Sequence, residues 1–397
     1  MYTPQLSEFP EFSLVRLLVT CFGHTPSARL KTCILIDLPD LTLMVDHRFL
    51  NEDGFEVQKR AHDVFLKKLK EGVSEKMGYS SNDFFAFKAT GGSNLDPEDD
   101  LIDIEGNSLT FTKDICPNYD LILAITDYSL TAPLTAMAKE HGFRGATLHG
   151  VNDIILNSGL SVDYEVISKQ AELFRSVLDK SDAFELDFHC LGSDFTLKID
   201  CDAQVAQKSH GLCPPGKPDV ANLPAGEVYF VPKGASGSFP FRFSDGTLAS
   251  MRVSDGAIVE ATLLRGDKEL VTQRNLQLKQ DPATGILGEL GFGTQLLPFS
   301  GKDIQDEKIL ATCHVATGRS DHLGGTLTPE LFNSRQNASH DDILYAPPKT
   351  PEITVTQVRM HKNGDSVSIL ENFEPTPYLL QQLESEYPVE RFTSGVS

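Results

Sequence analysis

The chain has 397 residues, 40% hydrophobic and 23% charged, the proportions of a globular protein long enough for two or three domains. Its 35 basic and 56 acidic residues give a formal charge of −21 at pH 7, which excludes nucleic acid and anionic membrane as favoured partners. No apolar run reaches the roughly 18 residues of a membrane span, and the N-terminal segment has acids and prolines where a leader would have basic and apolar blocks, so the expected location is the cytoplasm.

In chain order, Leu14 to Thr20, Thr32 to Asp37 and Leu41 to Asp46 read as short strands. Glu56 to Glu71 reads as a helix with Ala61, Val64, Phe65 and Leu69 on one face and Gly72 as its stop. Tyr119 to Ile125 is the near-continuous apolar strand of a parallel sheet, followed by a helix with Pro133 in its first turn and Gly142 after its end. A strand near Gly145 to His149 and a helix over Val162 to Lys180 continue the alternation, which predicts an α/β domain with a Rossmann-like layered parallel sheet over residues 1–185. His24 and His47 stand near strand ends without a motif, and Asp96 to Asp100 reads as a solvated loop.

From residue 186 to 397 helices become scarce and strands recur at Phe195 to Ile199, Val228 to Val231, Ala257 to Leu264, Lys308 to Thr317 and Ile353 to Met360. This predicts a β-rich α+β domain, with loops over Gly211 to Pro224 and Thr328 to Pro351. The seven cysteines are odd in number and contain no C-x-x-C, so they read as free thiols.

Phosphate-loop, serine-nucleophile and H-E-x-x-H patterns are absent, and GELGFG lacks the order of a dinucleotide fingerprint. What remains is a series of metal-ligand types. Glu227 opens a strand in NLPAGEVYF, Glu289 sits in GELGFG, His314 lies inside the apolar CHVATG, and His340 and Asp342 form an H-x-D pair. Residues two apart on extended backbone point to the same side, so His340 and Asp342 can reach one ion. Two imidazoles and several carboxylates suit zinc, manganese, cobalt or ferrous iron.

In this order, with GSDFTL at 192–197 ahead of them, the motifs resemble the aminopeptidase T-type metal-dependent aminopeptidases, the thermophilic metallopeptidases, over about residues 185–365. The resemblance implies a homodimer that binds two divalent ions (zinc, cobalt or manganese) through Glu227, Glu289, His314, His340 and Asp342. Its activity would be release of N-terminal residues from short peptide or amide substrates by a metal-activated water. Glu289 would be the general base. The tyrosine that such enzymes carry beyond the strand histidine is replaced by GRSDHLGG, leaving His322 or Arg319 to steady the oxyanion. The alternatives are a ring-cleaving dioxygenase similar to the dihydroxypyridine dioxygenases, with one Fe(II) on His314, His340 and Asp342, and a degenerate homologue without catalysis.

Overall fold

A computed structural model describes residues 3–23 and 29–384, so His24 lies outside the described residues. The chain forms two compact units, and the expected cut at residue 185 is not where they divide. One unit comprises Gln5–Ser168 with His210–Ala225; the other comprises Lys169–Ser209 and the chain from Gly226 onward. Two local features move the boundary. The helix Tyr164–Leu178 places Phe174 and Leu178 in the core of the second unit, and Asp219–Asn222, inside the expected loop 211–224, is a strand of the first.

The first unit is α/β, built on a seven-stranded mixed sheet. Asp219–Asn222, Arg144–Thr147, Leu121–Ala124, Leu30–Leu38 and Tyr79–Lys88 lie parallel in that order, and Asp100–Ile102 and Ser108–Thr110 extend one edge antiparallel. Leu121–Ala124 and residues 33–36 are apolar and buried on both faces, as parallel strands covered by helices must be. The helix Thr131–His141 ends at Gly142 in the left-handed region, as its sequence predicts.

Two expected strands are helical instead. Leu14–Phe22 is an α-helix because Ser13 caps it, accepting from Arg16 N–H, and Leu14, Leu17, Leu18 and Cys21 recur at helical spacing. Leu41–Asn51 forms short 3-10 turns opened by an Asp40 cap, with Asp46 and His47 in the left-handed region. Gly72 leaves the helical region at φ 121° and breaks the helix there, as its sequence predicts, and a second short helical stretch runs on to Met77.

The second unit holds two antiparallel sheets. The larger has eight strands, with Ala183–Cys190 at its centre between Ser193–Asp200 and Ile353–Lys362. The smaller, in the order His340–Tyr345, Cys313–Gly318, Leu287–Gly293, Glu227–Phe230 and Gln207–Ser209, carries every predicted ligand. The expected loop over 328–351 therefore contains a strand, and it is the strand of the H-x-D pair. Helices are not wholly scarce here. Lys268–Gln280 is a helix of 13 residues that buries only Val271 and Leu278, so it has no apolar stripe to announce it.

One face of the small sheet joins the core. Val228, Phe230, Leu290, Phe292, Cys313, Val315, Ile343 and Tyr345 pack with Phe184, Leu186 and Phe188 of the larger sheet. Phe184 lies 5.1 Å from the Phe230 ring and 5.2 Å from that of Phe292; Phe188 lies 4.8 Å from Tyr345. Full burial stabilises by about 1.5–3 kcal/mol per large apolar side chain, so these residues fix the sheet, and the sheet fixes what stands on its other face.

Candidate metal centre

Alternation along each strand sends the intervening residues to that other face. Pairing sets Gly293 opposite Glu227, Ala316 between Glu289 and Asp342, Gly291 opposite His314 and Gly318 opposite His340. Each large polar side chain thus faces a glycine or alanine on the next strand. A Cβ at Gly291 would come within 2.1 Å of the His314 ring. The absence of a side chain there is what seats the imidazole.

The five predicted ligands converge. Glu227, Glu289, His314 and His340 are all at most 5% exposed, while Asp342 is partly accessible. His340 Nε2 lies 2.9 Å from Glu289 Oε2 and 3.4 Å from Asp342 Oδ1. His314 Nε2 lies 3.6 Å from Glu289 Oε1, 3.7 Å from Glu227 Oε2 and 4.0 Å from Asp342 Oδ1. Among the described residues three overlapping groups have donor atoms within 4.8 Å of one another: Glu289 with His340 and Asp342; Glu227 with Glu289 and His314; and Glu307 with His314 and Asp342.

Glu307 and its neighbour Lys308 escaped the reading of the sequence. Lys308 is 1% exposed, and its Nζ lies 2.6 Å from Glu227 Oε1 and 2.5 Å from Glu307 Oε1. The only sequence signal is three consecutive charges, Asp306 to Lys308, run directly into an apolar strand.

The arrangement fits a divalent cation. The oxygen Oε2 of Glu227 and of Glu307 is buried without a hydrogen-bond partner, a costly state that an ion relieves. His340 donates from Nδ1 to the Arg319 carbonyl at 2.6 Å, which leaves Nε2 aimed at the carboxylates in the orientation usual for a ligating histidine. Burial pushes the Glu289 carboxyl up, but the His314 and His340 imidazoles outweigh it and hold it well below the usual carboxylate range. Burial likewise lowers His314, yet Glu289, Glu307 and Asp342 raise it to about 9. The raised His314 value registers the negative charge that the surrounding carboxylates bring to the pocket.

The two residues expected to steady an oxyanion stand behind the ligands. Arg319, 3% exposed, is held by Asp321 through Nε at 2.7 Å and Nη2 at 3.2 Å. The His322 ring meets the His340 ring edge to face at 5.0 Å, and burial lowers its pKa below the usual imidazole value. Both support the His340 strand.

No family model matches the chain, and no curated protein matches it in sequence. In fold it is similar to the 2,5-dihydroxypyridine dioxygenase of Pseudomonas putida KT2440, with a TM-score of 0.56 and 10% identity, over 88% of this chain and 92% of that one. The two chains share a fold.

Proposed function

We propose that this chain is a metal-dependent enzyme that opens a hydroxylated aromatic ring with dioxygen, using one ferrous ion on His314, His340 and Asp342 with Glu289 beside them. The observation that carries the reading is the meeting of two imidazoles with carboxylates on one face of a buried sheet, a mixed donor set that suits iron(II). The shared fold with a dioxygenase supports it. A ferrous ion there would supply a site at which dioxygen is activated. The four electrons that reduce dioxygen come from the ring, and both oxygen atoms end on the two carbons of the bond that breaks.

The chain's own residues then have defined tasks. Glu289 lies between the two imidazoles, 3.6 Å from His314 Nε2 and 2.9 Å from His340 Nε2, and keeps both turned toward the centre. The Arg319 carbonyl holds the His340 ring, and Asp321 holds Arg319. The His322 ring packs edge to face on the His340 ring and limits its rotation.

A second reading, hydrolysis of short peptides or amides by two ions, is favoured by Glu227. It forms with Glu289 and His314 a set that shares Glu289 with the first, the arrangement in which one carboxylate bridges two ions. The test is oxygen uptake by protein loaded anaerobically with iron(II), with dihydroxylated pyridines and benzenes as substrates, beside release of amino acids from dipeptides by zinc-, cobalt- or manganese-loaded protein. Ring-dependent oxygen uptake is the expected result. Peptide turnover without oxygen uptake would replace the first reading by the second.

A further inference from the structure

The acids of this centre outnumber what one ion needs, and the fold answers the surplus with a lysine. Glu227, Glu289, Glu307 and Asp342 surround His314, yet Glu227 and Glu307 are bridged by the Lys308 ammonium at 2.6 and 2.5 Å. The Lys308 backbone is pinned on both sides: its N–H donates to the Gln305 carbonyl, and its own carbonyl accepts from Thr294 N–H at 3.0 Å and Gln295 N–H at 2.8 Å. The side chain is 1% exposed, and the turn that carries it is held in place by those hydrogen bonds. The ammonium engages Oε1 of Glu227 while Oε2 of the same carboxylate faces His314. One oxygen of Glu227 therefore already has a cation, and the charge of that carboxylate is partnered before any second ion binds.

We infer that Lys308 is a built-in substitute for a second divalent ion, which confines the centre to the one metal proposed on His314, His340 and Asp342. This rests on the reading of the cluster as a metal centre. Removing the ammonium leaves two buried carboxylates without a counter-charge, which the protein tolerates only if another cation replaces it. Lys308→Met keeps the length and apolar stem of the side chain and deletes the charge.

The test is a count of ions per chain by plasma mass spectrometry, with manganese(II) titration followed by calorimetry, on wild type, K308M, K308R and the double variant E307Q/K308M. The expected result is about one ion in wild type and K308R, about two in K308M, and a return to about one in the double variant, where the second carboxylate pair is lost. Two ions in wild type, or one in folded K308M, would overturn the inference while leaving the metal centre standing. K308M that stays unfolded at every manganese concentration would also overturn it, since a divalent ion would then not replace the ammonium. No ion in wild type would remove the metal centre itself and the inference with it.

Discussion

Gly291 and His314 face each other on adjacent antiparallel strands, and the space a side chain at 291 would fill is occupied by the His314 imidazole, whose Cε1 would lie 2.1 Å from its Cβ. Gly291→Ala should therefore displace the ring without touching the core face. We expect manganese(II) or iron(II) to bind about 10- to 100-fold more weakly, the range seen when the support of a ligand is disturbed. Calorimetric titration, with circular dichroism to confirm the fold, measures it.

Removing a ligand should cost more. Asp342→Ala or His340→Ala is expected to abolish stoichiometric binding and, with it, the stabilisation that metal gives the wild type. At 100 times its dissociation constant an ion adds about 2.7 kcal/mol. A chelator should lower the melting temperature of metal-loaded wild type and leave that of D342A unchanged; an equal fall in both would remove Asp342 from the centre.

The core face of the same sheet gives an independent check. Tyr345 is fully buried and donates its hydroxyl to the Pro240 carbonyl at 2.9 Å. Tyr345→Phe leaves that carbonyl unpaired at a cost of about 1–3 kcal/mol. Denaturant unfolding should show this loss with metal binding intact.

At the surface, Glu172 pairs with Arg175 at 2.7 Å and Lys208 at 3.0 Å, and the Arg175 guanidinium is the chief cause that draws its carboxyl down to about 2. A depressed carboxyl contributes stability that is present above its ordinary value of 4.5 and is lost as the pH falls towards about 2. Because the group is exposed, Glu172→Gln should cost no more than about 1 kcal/mol at pH 7. In urea titrations the gap between E172Q and wild type should hold down to about pH 4.5 and close below it.

The convergence of Glu227 and His314 on one sheet face is legible because each sits in a strand whose alternation is visible in the sequence: Glu227 and Tyr229 against Val228 and Phe230, His314 and Ala316 against Cys313 and Val315. Glu307 and Lys308 were not, since adjacent charges read as solvated unless the fold-back that buries them is known, and that fold-back is a pairing of Gln295 with Ile309. Leu14 to Thr20 misled because five apolar residues in seven satisfy both the helical and the strand period, leaving the Ser13 cap to decide. The strand Asp219–Asn222 has no apolar run of its own; its partner, Arg144–Thr147, lies some 75 residues earlier in the chain.

Over residues 289–293, and through Glu227–Phe230, Cys313–Gly318 and His340–Tyr345, core and ligand faces alternate, but between Leu287 and Glu289 the pairing with Cys313–Gly318 slips by one residue, so that Leu287 packs in the core although it stands two positions from Glu289. An extra residue on the far side of that slip would be absorbed in the bulge, whereas one inserted between Glu289 and Gly293 would turn Leu290 and Phe292 out of the core and into the cluster. The bulge thus separates the part of this strand whose length is fixed by the chemistry from the part whose length is not.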